Sequence, residues 1–260
     1  MEEPQLPIRA TDPAGNTIAS RFVPPPGFVR DTLAVNSFGT YLRNFPLLPV
    51  GTPVKLFNGQ LKGRQDVHEA VLDLDVGNRD LQQCADAIMR LRAEYLWEEG
   101  RYDDIHFNFV SGFRADYGRW RQGQRIKVSG NRVTWTSSSG PKTSYEEFRR
   151  YLIMVFSYAG TASLAKEMET VSVEDIEIGD VFIKGGFPGH AVIVMDRVSN
   201  PATNEVRVLL AQSYMPAQQM HVLKNPYGPD GSPWYDPVQA NLITPEWPFT
   251  RDQLKRFVEK

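Results

Sequence analysis

A single thiol and a distant imidazole carry the chemical interest of this sequence. Cys84 stands near the start of a helical pattern, and His190 opens an apolar strand pattern directly after Gly189. A cysteine nucleophile needs both. Unpaired backbone N–H groups at a helix start, with the positive end of the helix dipole, favour thiolate over thiol. On these grounds Cys84 is expected to have a lowered pKa. An imidazole within hydrogen-bond reach takes the proton and later gives it to the leaving group. A third polar group must hold that imidazole in one tautomer. Gln212 closes the strand pattern that follows His190. In an antiparallel meander the start of one strand lies beside the end of the next, so His190 and Gln212 are expected to meet. A lone cysteine on an apolar helical face is more often an inert core residue. The joint order of thiol, imidazole and amide is what favours chemistry here.

The elements that must position these groups follow from periodicity. Asn78 or Asp80, after Gly77, is the expected N-cap of the thiol-bearing helix. Leu81, Cys84, Ile88, Leu91 and Tyr95 share its apolar face. Gln82, Asp86, Arg90 and Glu94 form the other face, which reads as a solvated or interface ion-pair ladder. A second helix is expected over residues 145–157, bent or broken near Gly160. Alternation predicts strands over residues 70–76, 105–110 and 132–137. "DVFIKG", "HAVIVMD" and "VRVLLAQS" predict an antiparallel meander. The proline-rich tail from Pro226 reads as an irregular wrap with a short helix from Arg251.

Composition limits the function classes. Of 260 residues, 41% are hydrophobic and 23% charged, the balance of a folded chain rather than a disordered one. Lys plus Arg is 29 against 31 Asp plus Glu, which leaves no broad basic footprint for nucleic acid. One cysteine excludes an internal disulfide framework and a Cys-rich zinc site. No apolar run reaches the ~18 residues that span a bilayer. Residues 1–29, with Pro24-Pro25-Pro26-Gly27, read as an extended N-terminal arm, and residues 30–260 as a single domain with helices first and a sheet after, an α+β architecture.

The segment Gly179 to Val194 resembles the His-bearing half of NlpC-type and CHAP cell-wall peptidases, which are papain-like. Their Gly-Asp pair opening one strand and Gly-His pair opening the next correspond to Gly179-Asp180 and Gly189-His190. The resemblance implies Cys84 as nucleophile, His190 as base and Gln212 as the third residue. It implies a papain-like fold in which the Cys-bearing helix packs on the antiparallel sheet carrying the His, elaborated by N- and C-terminal arms. The chain differs in having Gln83-Cys84 where those enzymes carry Asp-Cys, in a longer stretch between Cys84 and His190, and in Gln212 where His, Asn or Asp is common. From about Arg21 to Phe257 the chain also resembles an uncharacterised bacterial family known only as a domain of unknown function, often exported or lipoprotein-type. That resemblance rests on "FPLLPVGTPVKLFNG", "AVLDLDVGNRDLQQCADAIMRLRAEYLW", "FSYAGTASL", "IGDVFIKGGFPGHAVIVMD", "LLAQSYMPAQ" and "TPEW". It implies a place in the cell envelope or periplasm, with a leader not included in this sequence, and the cytoplasm as alternative.

Two functions compete. One is a thiol hydrolase acting on an amide or acyl bond, as in cell-wall peptide, with Gln83, Ser213, Tyr214 and Gln218 as substrate-binding residues and no cofactor or metal. Gln82 or Gln83 would add an oxyanion donor to the Cys84 N–H, and His221 is a weaker rival for the base. The other is a non-catalytic envelope module holding a glycan or peptide fragment, with Trp120, Trp135, Trp234, Tyr235 and Trp247 as platforms; large aromatics are more often core. A weaker third reading is a metal enzyme using Asp73, Asp75 and a His, or Asp80. Nothing in the sequence sets an oligomeric state.

Overall fold

The structure, a computed structural model, describes residues 10–137 and 140–258. Its centre is the strand His190–Ser199, whose first seven residues are all buried. Both faces of that strand are covered, so it lacks the apolar–polar alternation of a half-solvated sheet. Ala191, Ile193 and Met195 join Val181, Ile183, Leu209, Ala211 and Val222 in a core beneath the helix Cys84–Glu98. Val192 and Val194 join Phe182, Val208, Leu210 and Leu223 in a second core on the opposite face.

The main sheet is antiparallel. Its order is His68–Val71, His221–Leu223, Val206–Gln212, His190–Ser199, Val181–Lys184, Leu254–Arg256 and Glu169–Thr170. The three central strands form the expected meander. The architecture is α+β. Val29–Arg30 takes the place beside the far end of the His190 strand, with Val29 opposite Ser199. The stretch read as a surface arm is thus anchored: Ile18 and Phe22 are fully buried in the helix-side core. Their apolar side chains are worth roughly 1.5–3 kcal/mol each on burial, which a proline-based reading of this stretch misses.

Two expectations are corrected at the tail. Arg251–Gln253 is a single 3-10 turn, and Leu254–Arg256 continues as a strand of the main sheet. The strand Val181–Lys184 otherwise presents an unpaired edge, and Leu254 supplies apolar cover. The hairpin Asn241–Ile243 with Pro248–Thr250 places Leu242 and Phe249 in the second core. The tail is therefore the lid of the sheet's second face.

The helix Cys84–Glu98 also differs from its expected form. Gln83, not Asn78 or Asp80, is its N-cap, and Cys84 is its first residue. Asp80 is committed elsewhere: its carboxylate accepts from Ala217 N at 2.7 Å and from Gln83 Nε2 at 3.0 Å. The polar face is not solvated, since Asp86, Arg90 and Glu94 are all under 7% exposed. Arg90 Nη2 meets Asp75 at 2.7 Å, Nη1 meets Gln82 Oε1 at 2.8 Å, and Nε meets Glu94 at 3.2 Å. Arg149, on the expected second helix, holds Asp75 at 2.8 Å, and the Tyr145 hydroxyl donates to Glu94 at 2.7 Å. A charged face can be covered when nearly every charge meets a partner. That second helix runs Tyr145–Tyr158, capped by Ser144, and the chain breaks at Ala159-Gly160 before Thr161–Glu167. The expected strands over 105–110 and 132–137 shorten to His106–Asn108 and Arg132–Thr136, each in a small hairpin with Arg114–Asp116 and Arg125–Ser129. Among the described residues no helix is long and apolar enough to cross a membrane.

Candidate active site

Cys84 and His190 line one cleft of about 450 Å³, together with Leu81, Phe156, Tyr214 and Trp247. Cys84 is the first residue of the long helix and is partly exposed as a residue, with its thiol shielded within the cleft. Backbone N–H groups of Ala85, Ala191 and Cys84 itself act on the sulfur. Ala191 directly follows His190, so the sulfur lies against the start of the imidazole-bearing strand.

His190 Nε2 lies 2.7 Å from Gln212 Oε1. The meander makes this contact: Ile193 pairs with Ala211, so Gln212 extends alongside the opening of the His190 strand. The other end of the Gln212 amide reaches Glu246, Nε2 to Oε2 at 2.7 Å. Lys62 Nζ holds Glu246 at 2.8 and 3.0 Å, and both side chains are under 10% exposed. This chain fixes the tautomer by elimination. A carboxylate only accepts, so the Gln212 NH₂ must face Glu246 and its carbonyl must face His190. The imidazole therefore donates through Nε2–H, and Nδ1 keeps its lone pair for another partner. Tyr214, Trp247 and Phe249 hold the ring, with centroids 4.7, 5.6 and 6.0 Å away.

Burial dominates the titration of both groups. It pushes the Cys84 thiol up to about 11, with the Asp86 carboxylate adding to the effect and the three N–H groups opposing it. It pushes His190 down to about 4, opposed by Gln212 and Glu246 and aided by Lys62. The expectation of a lowered thiol pKa is thus corrected. The helix start supplies the N–H groups, but the cost of placing a sulfur anion in a shielded cleft is larger. At neutral pH the resting site holds a neutral thiol and a neutral imidazole.

The other candidates separate cleanly. Gln83 and Tyr214 line the cleft. Ser213 does not: it is fully buried, and its hydroxyl donates to the Gln218 carbonyl at 2.8 Å or the Gln82 carbonyl at 3.2 Å. It ties the loop after Gln212 to the residues before the thiol. Gln218 is likewise buried, donating to the Pro216 carbonyl at 3.0 Å. Both stand outside the cleft, because a loop this tight turns its polar groups onto its own backbone. Gln82 is turned inward to Arg90 and the Asp75 carbonyl, so it is no oxyanion donor. His221 packs behind Gln212, fully buried, with Nδ1 at 2.9 Å from the Gln219 carbonyl, and burial pushes it down to about 3. Trp120, Trp234 and Tyr235 are core residues, while Trp247 lines the cleft. Asp75 is taken by two arginines, and among the described residues no group of three or more His, Cys, Asp or Glu is placed to hold a metal. Asp180 does not reach the cleft. It grips Arg256 at 2.7 and 2.8 Å and so pins the last strand beside Val181–Lys184.

Gly189 must be small. A Cβ there would lie 2.5 Å from Thr161 Oγ1 and 2.4 Å from the Gly186 carbonyl, so the approach to His190 is moulded on the start of the Thr161–Glu167 helix.

Lys62 and Glu246 escape a reading of the sequence. Glu246 stands in "TPEW", where a lone acid between Pro245 and Trp247 carries no recognisable spacing. Glu246→Gln gives a direct check. A second amide in place of the carboxylate lets the Gln212 amide turn over and present NH₂ to His190, which moves the ring proton to Nδ1. Acyl transfer at Cys84 is expected to fall at least about tenfold, bounded by the ~10⁴-fold loss of a locked wrong tautomer. Ring ¹⁵N shifts of His190 report the tautomer, and unchanged shifts would show that Glu246 does not set it.

The fold and the site together define an α+β protein with a thiol, an imidazole and an amide gathered at one end of an antiparallel sheet. Residues 18–256 match the family described as domain of unknown function (4846), and the chain belongs to that family. No curated protein matches it, and no solved structure does.

Proposed function

We propose that this protein is a papain-like thiol hydrolase of the NlpC and CHAP kind, cleaving an amide or acyl bond such as one in cell-wall peptide. The observation that carries the reading is the Lys62–Glu246–Gln212–His190 chain, which turns the imidazole lone pair at Nδ1 away from Gln212 in a ring that lines the thiol's cleft.

In the mechanism, Nδ1 of His190 takes the Cys84 proton as sulfur attacks the substrate carbonyl carbon. The carbonyl π pair moves to oxygen, and the Cys84 N–H at the helix start stabilises the oxyanion. The oxyanion collapses, the C–N bond breaks, and Nδ1–H protonates the leaving amine. Water, deprotonated by Nδ1, then attacks the thioester. The acid product leaves, and the thiol regains its proton. Both resting groups are neutral, so the proton moves only as the sulfur attacks.

Acetylation by p-nitrophenyl acetate followed by mass mapping tests this. A single acetyl group on Cys84 is expected, absent in Cys84→Ser and strongly slowed in His190→Ala. Acetylation confined to other residues, or a rate indifferent to His190, would instead favour a binding cleft for peptide or glycan. The raised thiol pKa is the observation on that side.

A further inference from the structure

The carboxyl of Asp86 is the group in the cleft that the hydrolytic steps leave unused. It occupies the third position of the Cys84 helix, where its Oδ2 folds back to accept from Gln83 N–H at 3.1 Å. Asp86 is among the residues that line the cleft beside Cys84. Its Oδ1 is buried and has no hydrogen-bond partner. Capping requires one oxygen, and a neutral side chain supplies it. A second, orphaned acid oxygen in a shielded position costs about 1–3 kcal/mol unless something pairs with it. Around it the cleft offers no cation of its own. No Lys or Arg lines it, whereas Asp80 does, and the nearby Lys62 is committed to Glu246 under the Tyr214 ring. The remaining walls are largely apolar, with Leu81, Phe156 and Trp247 lining the cleft and the exposed Met215 and Phe187 beside them.

We propose that Asp86 is the anchor for a positively charged amine, so that the cleft takes amides or peptides with a free ammonium group next to the bond presented to Cys84. This rests on the hydrolase reading only for the identity of that bond. The empty site avoids a bare buried charge because burial pushes the Asp86 carboxyl up to about 8. A bound ammonium supplies the counter-charge that burial denies, and ion pairing of this kind lowers a carboxyl pKa by about 1–3 units. Where Asp86 is ionised, the same pairing offsets the repulsion that it exerts on the Cys84 thiolate. The apolar walls accept the side chain that accompanies the amine.

The test uses the Cys84→Ala protein, which binds without turnover, and two probes. Phenylalanine amide carries the ammonium, and 3-phenylpropanamide has the same ring and carboxamide without it. Calorimetric titration is expected to show the first binding at least about tenfold more tightly. Asp86→Asn, which keeps an acceptor for Gln83 N–H, is expected to erase that preference. Equal affinity for the two probes, no binding of phenylalanine amide, or a preference that survives Asp86→Asn would overturn the proposal. If Asp86→Asn does not fold, the probe pair on the Asp86-bearing protein still decides. Acetylation of Cys84 is read separately. An amine preference without acetylation sinks the hydrolase and keeps the subsite, and acetylation without an amine preference does the reverse.

Discussion

His190→Ala is expected to slow acyl transfer to Cys84 by about 10²- to 10⁴-fold near pH 7, the range of a positioned general base. The pH profile separates this from a general loss of structure. In the native protein the imidazole is held down at about 4. Above that value it is neutral and able to take the thiol proton. As pH falls through about 4 it becomes charged, and kcat/KM must fall with it. The alkaline side is set by the thiol, held up at about 11, so a plateau lies between the two, on which Asp86, pushed up to about 8 beside the thiol, superimposes its own titration. Removing the ring should remove the acid limb as well as most of the rate. Simple alkylation behaves differently. Iodoacetamide needs thiolate, and the raised pKa makes its attack slow below pH 8 even in an active enzyme. An acid limb that persists in His190→Ala, or a plateau that begins near pH 7 in the native protein, would contradict the assignment of His190 as the base.

The parts of this site that the sequence reveals are those set by local geometry. The meander needs only three apolar runs and two short turns, and it brings His190 to Gln212 because strand ends must alternate. The helix bearing Cys84 is legible from the recurrence of Leu81, Ile88, Leu91 and Tyr95, although its start lies later than the turn residues suggest. What the sequence hides is set by packing between distant segments. Glu246 meets Gln212 across 34 residues, and Lys62 meets Glu246 across 184. No spacing rule reaches that far. The face of Asp86, Arg90 and Glu94 shows its polarity at once but not its cover, which comes from Asp75, Tyr145 and Arg149. The thiol pKa fails for the same reason. Helix position gives the favourable N–H groups, and only the assembled cleft gives the larger desolvation. Ser213 and Gln218 show the converse, polar residues close to His190 in the chain pattern whose bonds all turn inward.

Asp196 carries the largest expected effect on stability. It lies further along the His190 strand and is fully buried, yet it bears a carboxylate. Arg30 Nε meets one oxygen at 2.7 Å, and Arg43 Nε meets the other at 2.7 Å. The Arg197 N–H adds a bond at 2.9 Å. Arg30 belongs to the short strand beside the far end of the sheet, and Arg43 ends the helix Phe38–Arg43. One buried acid therefore ties two N-terminal elements to the central strand. Asp196→Ala leaves two largely buried guanidinium groups without their counter-charge, still bonded to the Phe22 carbonyl from Arg30 and to the Asp31 and Arg197 carbonyls from Arg43. Breaking such a pair from one side costs about 3–5 kcal/mol, because carbonyls do not neutralise the remaining charges. Urea unfolding should show that loss as a lower midpoint. Replacing Asp196, Arg30 and Arg43 together by apolar residues of similar size should recover much of it, since the cost lies in the orphaned charges. The effect belongs to stability alone. The site sits at the opposite end of the strand, so Cys84 acetylation per folded molecule should stay at the native rate. A midpoint shift worth under about 1 kcal/mol would mean that water reaches the arginines once the acid is gone. The N-terminal elements would then be held by Ile18, Phe22 and Leu42 in the core rather than by this charge.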